Sequence, residues 1–158
     1  MSTAAESPTS TPTLASRIAT LASVVAHAHY PNGDRAALKR WAPGQPVPLA
    51  FYRLWLRHLG EDLPTETQQA QWMLLAWGLA LCGTQAHRVD RPLGQALAEA
   101  GYAEARLERL LSAPAELRAE LFMSMVRFLA AKDAAFNWAD AAEFLLSRDF
   151  DARERSHR

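Results

Sequence analysis

Apolar positions recur along this chain with the period of a helix. Leu14, Ile18, Leu21 and Val25 fall four, three and four apart and mark one stripe of an amphipathic helix, which Pro31-Asn32-Gly33 ends. Asp34 is placed to cap a second helix running from Arg35 to Trp41. After the stiff connection carrying Pro43, Pro46 and Pro48, the stretch LAFYRLWLRHLG reads as a third, with Leu49, Tyr52, Leu56 and Leu59 inward and Arg53 and Arg57 outward. Residues 61–65 read as a turn with a cap. The next stretch, Gln69 to Cys82 (QAQWMLLAWGLALC), has apolar residues on every side of the wheel. A helix without a wet face is normally surrounded by other helices, and this run is shorter than the roughly 20 residues a membrane span needs. It predicts the central core helix.

Beyond it, GTQAHRVDR reads as a polar loop carrying His87, Arg88 and Arg91. Leu93, Leu97 and Ala100 predict a short helix stopped by Gly101. Leu107, Leu110 and Leu111 start another, on which Arg106 and Arg109 are expected to pair with Glu104 and Glu108. Pro114 opens a helix with Leu117, Leu121, Met125 and Phe128 inward and Arg118 and Arg127 to the sides. Asn137 caps a last one, WADAAEFLLSRDF, before a frayed charged end, DARERSHR. The fold class expected is all-α, seven to nine helices in two packed halves, residues 15–86 and 87–158, sharing one core. Residues 1–14, rich in Ser, Thr, Pro and Ala, read as a disordered tail with no secretory signal.

Composition supports helices, since Ala, Leu, Glu and Arg dominate and β-branched residues are scarce. The lone Cys82 rules out a disulfide framework and fits a reducing, cytoplasmic compartment. Lys plus Arg equals Asp plus Glu at 17 each, so no whole-molecule charge favours nucleic acid or a membrane. Local clustering does: from Asp34 to Arg57, five cations (Arg35, Lys39, Arg40, Arg53, Arg57) face one acid, Asp34. Like charges four apart on a helix repel, which suggests that an anionic partner neutralises them. Catalytic patterns are missing: no glycine-rich phosphate loop, H-E-x-x-H, C-x-x-C or G-x-S-x-G elbow occurs. His27 and His29 are two apart and point different ways on a helix, so they do not form a metal pair. No metal, cofactor or enzymatic role is expected.

Four stretches, in order and at matching intervals, carry a resemblance. They are Gly33-Asp34-Arg35-Ala36-Ala37-Leu38-Lys39-Arg40, Phe51-Tyr52-Arg53-Leu54, the run RPLGQALAEAG from Arg91 to Gly101, and Arg106-Leu107-Glu108-Arg109-Leu110-Leu111. From about Ala26 to about Asp149 the chain resembles the CasB family, the small subunit of the type I-E CRISPR surveillance complex called Cascade. The resemblance implies an all-α, non-catalytic protein that sits as a pair of copies beside the guide RNA, among the other Cascade subunits. There it would hold the target strand and the displaced strand of the R-loop by their backbones. Lys39 and Arg40 match the basic pair ending the family's first motif, and Arg53 the arginine after its aromatic pair. Arg91 and Arg127 fall where members often carry basic residues, and Arg88 lies in the loop between. Asn137-Trp138 departs from the family's Asp-Trp, and many members continue past the last helix with a basic and aromatic segment: either its contacts are missing here or the chain is cut short of it. The rival from another class is a helical adaptor that binds protein alone.

Overall fold

The all-apolar stretch becomes the helix that the others surround. A computed structural model describes residues 13–60 and 62–156, with side chains as far as residue 147. Among them are eight helices and no strand: α1 (Leu14–Ala26), α2 (Asn32–Arg40), α3 (Leu49–His58), α4 (Glu66–Cys82), α5 (Leu93–Ala100), α6 (Glu104–Ser112), α7 (Ala115–Ala131) and α8 (Trp138–Ser156). The tail predicted over 1–14 lies outside the described residues up to residue 12; Thr13 caps α1, its side chain accepting from the Ser16 N–H, and Leu14 is already helical. Every residue from Trp72 to Ala80 is buried, and α4 packs on α1, α2, α7 and α8. One buried cluster draws side chains from all eight helices. None of the described helices is long and apolar enough to cross a membrane.

The helix ends follow from local chemistry. Thr65 caps α4 by accepting from Gln68, and Gly101 ends α5 at φ 81°, a left-handed turn that a side chain would strain. α4 and the start of α8 meet through Gly78. A Cβ there would lie 2.3 Å from the ring of Trp138, so only glycine lets that indole lie against the helix. Trp138 is fully buried, stacked on Phe136 at 4.6 Å between ring centroids.

Two expectations fail on which side of a helix faces in. On α3 the buried residues are Ala50, Phe51, Leu54 and Trp55, while Leu49 and Leu56 are 72% and 53% exposed. That helix carries more apolar residues than one face holds, and the choice is made by Trp55, whose ring meets Trp72 of α4 edge-on at 5.0 Å. On α7, Leu117 is exposed, Arg118 is buried, and Phe122, Met123, Val126 and Leu129 join Met125 inside. Leu111 at the end of α6 is exposed as well. Finally, α2 starts at Asn32 and has no side-chain cap; Asp34 lies within its first turn.

Candidate nucleic-acid interface

α2 and α3 pack together and carry the five clustered cations, but the five do different things. Arg35 reaches back to the end of α1. Its Nη2 donates to the carbonyls of Val25 at 2.8 Å and His27 at 3.0 Å, its Nε to Val25 at 3.3 Å, and its Nη1 to the Asn32 side chain at 3.2 Å. The last carbonyls of a helix lack intrahelical donors and carry partial negative charge, so the guanidinium fork caps α1 from a distance. Its outer surface lies over the Tyr30 ring, 5.4 Å from the centroid. Arg35→Ala should therefore lower stability by about 2 kcal/mol, read as a shifted thermal melt, and Arg35→Lys should restore little of it, because an ammonium lacks the fork.

Arg53 bridges to Asp34 at 2.7 Å and ties α3 to α2. The hydrogen bond and charge of Asp34 raise the pKa of Arg53 above its ordinary value. Behind this pair, burial pushes the Tyr30 hydroxyl up to about 12, helped by the charge of Asp34, so it stays protonated. The remaining three cations, Lys39, Arg40 and Arg57, are exposed, and none has a carboxylate within ion-pair distance among the described residues. Lys39 and Arg40 occupy the last turn of α2, where cations are favoured by the helix dipole. With Asn32, Arg35 and Ala36 they line a shallow depression of about 260 Å³. Trp41 offers no ring for stacking: it is buried, and its indole N–H donates to the Gln45 carbonyl at 3.2 Å.

Arg88 and Arg91 are brought to a second place. The stretch between α4 and α5 is polar, as expected, yet it is held along its length by the segment before α8. Arg88 N–H donates to the Phe136 carbonyl, Phe136 N–H to Ala86, Asn137 N–H to Arg91, and the Asn137 side chain to Val89. Asn137 also caps α8 through the Ala139 N–H at 2.9 Å, so asparagine serves the capping role expected of it. Asp140, in the first turn of α8, accepts the Leu93 N–H that opens α5. On this fixed stretch Arg88 pairs with Asp90 at 3.1 Å and Arg91 with Glu99. The Arg88–Asp90 pair is exposed, and a pair of that kind contributes little to stability, whereas Arg91 is half-buried.

His87 belongs to the same fastening, its Nδ1 accepting the Trp138 backbone N–H at 3.0 Å. Burial holds its pKa below the ordinary imidazole value. The folded chain thus binds a proton there less readily than the unfolded one. The His87 contribution is fully present above about pH 6.5 and is lost as pH falls from there through the lower folded value. Melting temperature should fall between neutral and mildly acidic pH, and His87→Gln should flatten that dependence.

Arg127 stands apart from both groups, lying over the Trp77 ring of α4 at 5.3 Å. Two further cations, Arg106 and Lys132, gather around Phe128. Arg106 is not paired with a glutamate among the described residues; it lies 4.7 Å over Tyr102 and 5.5 Å over Phe128 and donates to the Ser124 hydroxyl at 3.2 Å. Lys132 Nζ lies 5.6 Å from the centroid of the same Phe128 ring. The signal available in the sequence was the spacing Ser124 and Phe128 on one row of α7 with Lys132 at its C-cap, and Tyr102 four before Arg106. Among the described residues, no group of three metal-binding side chains forms.

The family model described as CRISPR-associated protein Cse2 matches residues 34–158, from the first turn of α2 onward. No curated protein and no solved structure matches the chain.

Proposed function

The chain belongs to the CRISPR-associated protein Cse2 family, the small subunits of Cascade, and on that premise we propose that it grips nucleic-acid backbone without reading sequence. In this reading it is a non-catalytic, cytoplasmic component of a type I-E complex, present as a pair of copies among the other subunits. It steadies the R-loop, with the target strand on the guide RNA and the displaced strand held aside. The observation that carries the reading is the set of exposed cations Lys39, Arg40 and Arg57, without carboxylate partners among the described residues, on a chain whose total charge is zero. A sugar-phosphate strand neutralises such a set whatever its bases, and counterion release drives the binding.

Mechanistically, Arg53 serves both the fold and the strand: Asp34 aims its guanidinium, and a phosphate can share it. Arg35 acts behind the surface by holding α2 on α1, and so positions Lys39 and Arg40. Arg88, Arg91 and Arg127 supply further contacts from the rigid loop and α7. The test is a salt titration of the chain against a single-stranded oligonucleotide. Binding at low salt that weakens linearly in log–log form supports the reading.

A protein-binding adaptor is the second reading, and one observation favours it. Leu49 and Leu56 are exposed on the same side of α3 as Arg53 and Arg57, a mixture of leucine and arginine that suits a protein partner. Absence of oligonucleotide binding at low salt would decide for the adaptor.

A further inference from the structure

A cleft of about 560 Å³ opens between the end of α4, the loop after it, α5 and the end of α7. Arg88 and Arg91 stand on its loop side and Lys132 on its α7 side, while Ala96, Ala100, Ala130 and Ala134 give it small apolar walls. We propose that this cleft takes one unpaired nucleotide of the bound strand, phosphate on the cations and base against the alanines. The proposal deepens the strand-binding reading above, on which it rests.

Size is the first argument. The cleft lies within the range of about 300–1,000 Å³ that small-molecule sites occupy, far more than a carboxylate side chain would fill. Charge is the second. Three cations line it against Glu99 and Asp133, and Arg91, already paired through Nη2 with Glu99, has its Nε buried without an acceptor among the described residues. The partner of Arg88 is Asp90, which is 75% exposed, so a phosphate can replace that carboxylate with no buried charge stranded. Preorganisation is the third. Asp133, on the cleft wall, ends α7 in a left-handed turn at φ 52°, its N–H donating to the Ala130 carbonyl and that of Ala134 to Leu129, which fixes the backbone beside Lys132. The loop's hydrogen bonds to residues 136 and 137 hold the backbone of Arg88 and Arg91 at the cleft. Lys132, between the cleft and Phe128, marks where the strand would leave toward Arg106.

The experiment is an NMR titration of the ¹⁵N-labelled full chain with deoxycytidine monophosphate, inorganic phosphate and an acetylated tetraglutamate peptide as separate probes. The nucleotide should shift the amides of Gln85, Ala86, Lys132 and Ala134 with a Kd of about 1 mM or tighter. Lys132→Ala should weaken this about ten-fold, Ala134→Leu should block it by filling the cleft, and Arg109→Ala should leave it unchanged. If Ala134→Leu does not fold, the Lys132→Ala and Arg109→Ala pair carries the test. Equal affinity for inorganic phosphate, a response to the peptide alone, or nucleotide-induced shifts confined to α2 and α3 would each overturn the proposal. Shifts on α2 and α3 alone would leave the broader reading intact. Cleft binding of the nucleotide with no binding of any oligonucleotide would sink the broader reading instead.

Discussion

Gly78→Leu is expected to lower the melting temperature by about 9 °C, a loss of about 3 kcal/mol, which places it among the severest single changes this chain can carry. The glycine sits inside α4, where every residue but proline would favour the helix more: alanine in place of glycine gains about 1 kcal/mol from propensity alone. That gain is overridden by the ring opposite. A Cβ at 78 would meet Trp138 Cη2 at 2.3 Å and Cζ3 at 2.7 Å. Nor is the ring able to retreat. Its indole N–H donates to the Ala86 carbonyl at 3.1 Å, its backbone N–H to His87, and Phe136 and Phe122 close two of its sides. Trp138→Ala removes the obstacle but leaves a cavity, at a cost of about 4 kcal/mol. The two changes should thus be strongly non-additive, with Gly78→Leu costing much less once Trp138 is alanine. Circular dichroism melts of the two single variants and the double variant measure this. Additive losses would mean that the indole does not rest on α4.

Removing Lys39, Arg40 and Arg57 together, each to alanine, should flatten the salt dependence of single-strand binding by about two units in log–log slope. That corresponds to about a hundredfold weaker binding at 0.1 M salt relative to a 1 M reference, with three contacts at about 0.7 each. The same measurement separates the clustered cations by role. Arg35→Ala should lower stability and leave the slope nearly unchanged, because its donors are already committed to α1. Arg53→Ala should fall between, since it removes one cation and also exposes Asp34 as a repelling charge. An unchanged slope in the triple variant would move the strand off α2 and α3 altogether.

The core was legible because α4 has no polar side to misread: with apolar residues all round, no choice of phase arises. Gly101 and Asn137 were legible for a similar reason, since a left-handed stop and a helix cap are local demands that a single residue type answers. The orientation of α3 was not. Leu49, Ala50, Phe51, Tyr52, Leu54, Trp55 and Leu56 offer more than one apolar stripe, and only the meeting of Trp55 with Trp72 selects among them. The cation cluster on α2 and α3 was visible as composition, but not its division of labour. Arg35 caps carbonyls ten and eight residues upstream, and Arg53 finds its acid nineteen residues back. Both partnerships depend on how α1, α2 and α3 turn against one another. Arg106 shows the same limit in reverse: two glutamates share its helix, and it prefers the rings of Tyr102 and Phe128.

The stitching of residues 86–93 to residues 136–140 has a thermodynamic corollary for whatever touches that side of the molecule. An arginine on a floppy arm surrenders freedom whenever it meets a ligand, and part of the attraction is spent on holding it still. Arg88 and Arg91 have a backbone that was immobilised when the chain folded. Their encounter with an anion still has to order the side chains, but the cost of fixing the main chain beneath them was met when the protein folded.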